Sequence, residues 1–134
     1  MNYMKKLIFI LFSGWLLPVA VSGQTPDCSK FREGKFRTAD TRIGAIVVTE
    51  RNAVYQTETT ASLKLVIRFR ISWLDNCTCT LKLDKVIQNE NKQDIPGNLT
   101  VTLKIIETYS GSYLQEISSS LTNGVYRTIV NKTE

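Results

Sequence analysis

Between positions 63 and 73 every second residue is apolar: Leu63, Leu65, Ile67, Phe69, Ile71 and Trp73, with Lys64, Arg68, Arg70 and Ser72 in most of the places between. Side chains that alternate with period two belong to a strand buried on one face. Leu74, Asp75 and Asn76 read as a tight turn, after which Cys77, Cys79, Leu81 and Leu83 alternate with Thr78, Thr80, Lys82 and Asp84. The two stretches predict a hairpin. A third stretch, 99–105, alternates Leu99, Val101, Leu103 and Ile105 with Thr100, Thr102 and Lys104.

Weaker segments at 34–38, 45–51, 54–59, 113–118 and 124–130 are rich in β-branched or aromatic residues and bounded by Gly, Asn, Asp or Ser. Together these predict about eight strands joined by short turns, apart from a polar linker over 88–98 that holds Pro96 and Gly97. No segment carries a helical period. An antiparallel meander of this kind must protect its edges by closing on itself or by splitting into two packed sheets. The expected fold is therefore all-β, a small lipocalin-like barrel or half-barrel, with a β-sandwich as the alternative.

The first residues follow a different pattern. Lys5 and Lys6 precede an apolar run from Leu7 through Val21, broken by Gly14 and Pro18 and ending in the small residues Ser22 and Gly23. This is the form of an export signal, with cleavage expected before Gln24. A membrane anchor would need about 20 predominantly apolar residues, more than this core supplies. A lipid-modified start would need small and apolar residues before the first Cys, where Thr25, Pro26 and Asp27 stand. The expected organisation is a signal peptide over 1–23 and a single all-β domain over 24–134, with no transmembrane segment after the signal is removed.

Composition adds little to this picture. The chain has 134 residues with 17 Lys and Arg against 12 Asp and Glu. The leader carries two of those cations and no acid, so its removal leaves 111 residues at +3. Such a length excludes multi-domain, ATP-driven machines. The absence of His removes the commonest general base and a leading metal ligand.

Export permits disulfides, and the three Cys, at 28, 77 and 79, all lie after the leader. Cys77 and Cys79 would stand roughly 6.6 Å apart along a strand, at the strained limit of disulfide geometry. Cys28 bonded to either Cys77 or Cys79 is the expectation, and closing a loop of about 50 residues stabilises by roughly 4 kcal/mol on the chain-entropy argument. The third Cys is then a small buried apolar residue, a reactive thiol or one half of an intermolecular bridge. A Cys-x-Cys pair without His or a further Cys pair makes no tetrahedral metal set, so no metal site is expected.

Several stretches together are similar to a known group. Cys28-Ser-Lys-Phe31-Arg-Glu-Gly34-Lys-Phe36, then Gln56-Thr-Glu58, then Ile71-Ser-Trp73-Leu-Asp-Asn-Cys77 resemble short exported bacterial β-proteins that share a Cys-x-x-Phe-x-x-Gly-x-Phe opening and a Trp-x-x-x-Cys hairpin. That group has no established activity. The resemblance implies that Cys28 pairs with Cys77 and that Cys79, standing where an aromatic residue is usual, is the unpaired thiol. Some members carry the name DNA topoisomerase IV. Strand passage needs an ATPase module, a cleavage module and a tyrosine nucleophile spread over a far longer chain, so that activity is not expected here.

Candidate chemistry is sparse. Glu50, Glu58, Asp84, Glu107 and Glu116 are scattered over strands, no nucleophile has an evident base, and no phosphate loop occurs. The protein is expected not to be an enzyme and to need no cofactor. Gln56 and Glu58, on one face of a strand, are the best polar candidates for a pocket, although the solvated side is their expected place. Lys64, Arg68, Arg70, Lys82 and Lys104 are explained as the outward face of strands, and no nucleic-acid partner is expected. Phe36, Tyr55, Phe69, Trp73, Tyr109 and Tyr113 either fill the core or line a cavity, since an eight-stranded barrel is just wide enough for its own side chains or one small ligand. The candidate ligand residues are Phe36, Tyr55, Phe69, Trp73 and Tyr113. Two functions follow from the sequence: an exported, periplasmic or secreted, non-enzymatic barrel that binds a small apolar ligand, or a structural or protein-interaction domain that meets another envelope protein.

Overall fold

The computed structural model describes residues 26–134; the expected leader over 1–23 and its cleavage point lie outside the described residues. Eight strands run β1 Gly34–Asp40, β2 Ala45–Arg51, β3 Tyr55–Thr60, β4 Leu65–Trp73, β5 Thr78–Asn89, β6 Thr100–Thr108, β7 Ser112–Ser119 and β8 Val125–Lys132. Each pairs antiparallel with the next, and β8 returns to β1 through Phe36 opposite Lys132 and Arg37 opposite Asn131. The meander therefore closes as an eight-stranded barrel, and both the half-barrel and the sandwich are set aside. Closure leaves no unpaired sheet edge.

The strict alternation on β4 places Ile67, Phe69 and Ile71 in the core. The strand starts later than its pattern suggests. Ala61–Leu63 form a 3-10 turn and Lys64 takes a left-handed backbone with φ of 48°, so Leu63 lies before the strand. Conversely, β5 continues past Asp84 to Asn89, into the stretch expected to be a linker. Its extra length pairs with β4, Val86 opposite Ile67 and Asn89 opposite Leu65, across two register shifts. Each shift inserts a residue that breaks the two-residue period, which hides the strand from a reading by alternation.

One end of the barrel is sealed by the segment before β1. A 3-10 turn at Ser29–Phe31 carries Phe31 inward, and Cys28 just before it bonds to Cys77 just before β5. Both Cys28 and Phe31 are fully buried. The disulfide is thus the one implied by the family resemblance, and Cys79 is the free, buried thiol. The Phe31 ring lies 5.1 Å from that of Tyr113, and Phe36 meets the same Tyr113 edge-on at 5.8 Å. Gly34 lets the chain turn from this plug into β1: its φ is +128°, and a Cβ there would collide with the Glu134 carbonyl oxygen. That oxygen accepts from the Lys35 N–H at 2.8 Å, which ties the chain's last residues to β1.

The outer face carries the expected cations. Arg68 pairs with Asp84 at 2.7 Å and lies over the Tyr55 ring, with Arg70 nearby. Among the described residues no helix is long and apolar enough to cross a membrane.

Candidate functional site

Inside the barrel the side chains change character along the axis. Near the plug the interior is Phe31, Phe36, Ile71, Cys79, Ile105 and the ring of Tyr113. Towards the opposite end, inward positions are Thr38 and Asp40 on β1, Thr49 on β2, Glu58 on β3, Gln115 on β7, and Tyr126 and Thr128 on β8, facing an apolar wall that includes Phe69, Leu81, Leu103 and Ile117. Between them is a cavity of about 110 Å³, room for several waters or for a ligand head of a few heavy atoms.

A chain of hydrogen bonds forms the cavity's floor. The β2–β3 register sets Arg51 opposite Gln56 and Thr49 opposite Glu58. Arg51, only 4% exposed, donates through Nε to Gln56 Oε1 at 2.8 Å, through Nη1 to the Phe31 carbonyl at 2.7 Å and through Nη2 to the Tyr113 hydroxyl at 3.1 Å. Its guanidinium also lies 4.8 Å from the centre of the Phe36 ring. Gln56 passes the interaction on, its Nε2 donating to Glu58 Oε1 at 2.9 Å. A buried cation left without such partners would be very costly. Here it fixes the plug to the strands, and its formal counterion, Glu58, is reached through an amide.

Glu58 is half-buried, with what surface it keeps facing the cavity it lines. Burial raises its pKa above the ordinary 4.5; the hydrogen bond from Gln56 and the positive charge of Arg51 act against this, and the Asp40 carboxylate adds to it. Burial likewise raises the Tyr126 phenol, opposed by Arg42 and reinforced by Asp40 and Glu58. At the cavity's far wall, Gln115 Nε2 donates to Thr128 Oγ1 at 3.0 Å. Thr38 and Thr49 are each 7% exposed and line the cavity, and among the described residues no buried side-chain polar atom lacks a hydrogen-bond partner. The arrangement can solvate a small polar guest. It contains no nucleophile paired with a base, and the described residues hold no group of three metal-ligating side chains.

The structure sorts the aromatic candidates unevenly. Phe69 and Tyr113 line the cavity. Phe36 is fully buried in the plug and does not line it. Trp73 lies at the plugged end, half-buried, with the Arg32 guanidinium 4.5 Å from its ring centre. Tyr55 points outward, its hydroxyl accepting from Arg70 Nη2 at 3.4 Å, and Tyr109 is exposed. Gln56 and Glu58, expected on the solvated side, point inward instead. The reason is register: once Gln56 pairs with Arg51 on one side and Phe69 on the other, the parity of β3 follows that of its neighbours and Tyr55 is forced out.

Arg51, Asp40, Thr38, Thr49, Gln115, Tyr126 and Thr128 were not singled out by the sequence reading. On β2 the signal is present in the inward series Ala45, Val47, Thr49 and Arg51, but Ile46 and Val48, both 40% exposed outside, conceal it. Comparison with known proteins finds no matching family model, curated protein or solved structure. The cavity's meaning rests on its own geometry.

Proposed function

We propose that this protein is an exported, non-enzymatic barrel that holds a small molecule in its interior. The observation that carries the reading is the cavity above the Arg51–Gln56–Glu58 chain, lined by the polar side chains of Thr38, Asp40, Thr49, Glu58, Gln115 and Tyr126. An interior packed only for stability would fill such a space with apolar side chains. The lining also changes the chemistry of the guest: polar groups on β1, β2, β3, β7 and β8 favour a small polar molecule over the apolar one that the aromatics led us to expect. Export is supported by the buried disulfide, which persists in an oxidising compartment.

The test is an NMR titration of the purified protein with small polar compounds, following backbone amides. Saturable shifts confined to Thr38, Thr49, Glu58, Gln115 and Tyr126 are expected; a cavity insensitive to every compound overturns the reading. A second reading, a structural or protein-interaction domain of the envelope, is favoured by Ile46 and Val48 on the outside of β2 and Val125 and Ile129 on the outside of β8, each at least 40% exposed. Substituting Ile46 and Ile129 by Lys should leave the isolated barrel folded and abolish any such association.

A further inference from the structure

The rim of the cavity already holds a guest of its own. Arg42, in the turn between β1 and β2, lays its guanidinium 3.3 Å from the centre of the Tyr126 ring. Its Nη2 donates to Asp40 Oδ2 at 3.3 Å, and its backbone N–H donates to Asp40 Oδ1 at 3.0 Å. The Arg42 side chain is 52% exposed while that of Asp40 is only 11% exposed, so an exposed cation caps a largely buried carboxylate. The turn also contains Gly44, at φ of +63° with nothing within 4 Å of where a Cβ would stand, so the turn is unpacked on that side.

Charge inside the rim points the same way. Asp40 and Glu58 are acidic, and Arg51, the one cation among the described residues that line the cavity, spends its donors on Gln56, the Phe31 carbonyl and Tyr113. Glu58 gives Oε1 to Gln56, whereas Oε2 accepts from no protein group among the described residues. The hydroxyls of Thr38 and Thr49 also line the cavity, and both can accept hydrogen bonds. A planar cation that displaced Arg42 would find an aromatic face to stack on, one carboxylate at the rim and a second just inside, with hydroxyl acceptors beyond. Guanidinium and amidinium groups suit this arrangement, being flat, weakly hydrated and rich in in-plane donors.

We infer that the cavity binds small molecules with a guanidinium or amidinium head, and that the Arg42 side chain is a resident competitor that must leave for them to enter. This rests on the reading of the barrel as a small-molecule binder and specifies its ligand.

The experiment titrates the purified protein with millimolar methylguanidinium chloride, with its neutral isostere methylurea and with sodium acetate, at matched ionic strength, following the amides of Thr38, Thr49, Glu58 and Tyr126. Saturable shifts are expected with methylguanidinium alone. Arg42→Ala, on an exposed turn, should tighten that binding about fivefold by removing the competitor. Glu58→Gln should weaken it about tenfold while leaving the fold intact by circular dichroism. If methylurea or acetate binds as well as methylguanidinium, the cation assignment is overturned while the small-molecule reading stands. If Arg42→Ala leaves the affinity unchanged, the competitor role is overturned. If no probe shifts these amides in either the native protein or Arg42→Ala, both the inference and the reading beneath it fall.

Discussion

At the plugged end of the barrel Phe31, Phe36 and Tyr113 pack ring against ring, the Cys28–Cys77 bond fastens the entering chain to the base of β5, and every Arg51 bond found there has a partner of matching chemistry. At the mouth, the same sheet presents threonine hydroxyls lining a cavity, a carboxylate with a spare oxygen and an arginine that is half in solvent. The sheet is continuous between the two, so the difference lies in side chains and not in backbone. Close apolar packing is concentrated where the interior is closed, and the other end carries polar groups whose burial costs stability.

The sharpest way to break this contrast is to release the plug. Replacing Cys28 and Cys77 together by Ser frees a loop spanning 49 residues in sequence, and urea denaturation should show a loss of about 4 kcal/mol. The mouth's polar groups should keep their chemical shifts as long as the protein is folded. A loss below about 1 kcal/mol would mean that the plug is held by Phe31 and Arg51 alone.

Arg51 joins the two regions, so its removal should be felt in both. Arg51→Met keeps the apolar stem but strands the Phe31 carbonyl, Gln56 and the Tyr113 hydroxyl, and takes away the positive charge that acts on Glu58. A destabilisation of about 3 kcal/mol is expected. In a double-mutant cycle with Gln56→Leu, the two losses should sum to more than the loss in the double variant, since each single change leaves the other group unpaired. Strict additivity would show that the chain of bonds is not a unit.

The same division explains what could be read from the sequence. β4 was legible because one face is solvent and the other core, so Leu65, Ile67, Phe69, Ile71 and Trp73 keep a single period across the strand. The Cys28–Cys77 pairing followed from the family resemblance. The polar site was not legible, because alternation assumes that inward means apolar, and at the mouth of this barrel inward means Thr38, Asp40, Thr49, Gln56 and Glu58. On β3 that assumption assigns Tyr55 to the interior and Glu58 to solvent, the reverse of their places. The parity of a weakly patterned strand is set by its neighbours' register, a property of the closed sheet that no local window contains. The far half of β5 was missed for a related reason, because Lys85, Val86 and Ile87 cross a register shift.

Glu58 offers a smaller and oppositely signed test. Burial raises its pKa above the unfolded value, near 4.5, so the folded protein holds that proton more tightly than the unfolded chain does. The carboxylate therefore penalises folding at neutral pH; the penalty shrinks as pH falls through the raised value and is gone below 4.5. Glu58→Gln keeps the acceptor for Gln56 and removes the charge. It should stabilise the protein at pH 7 by on the order of 1 kcal/mol, and the gap to the native protein should close on acidification towards that value. Arg51, which favours the charged form, and Asp40, which disfavours it, are present in both proteins, so the difference isolates Glu58. A gap that stays constant with pH would mean the carboxylate is already solvated as in the unfolded chain.

Cys79 completes the comparison, since the same physical cause has almost no consequence at the other end. Burial pushes its thiol up from 9.0 to about 11, with only partial relief from Arg51 and Arg32. At neutral pH the thiol is protonated in both the folded and the unfolded chain, so its ionisation contributes nothing to stability there. Above pH 9 the unfolded chain ionises first, and stability should fall until the folded thiol also titrates near 11. The thiolate is the nucleophile. At pH 8 Cys79 in the folded protein should therefore resist a disulfide reagent such as dithionitrobenzoate for hours, and the protein should release one equivalent of thiol on unfolding in guanidinium chloride without reductant, the Cys28–Cys77 bond remaining intact. Rapid reaction in the folded state would show that the plugged end opens readily. The two ends would then differ in chemistry alone, and the stability assigned to the plug would have to be sought elsewhere in the barrel.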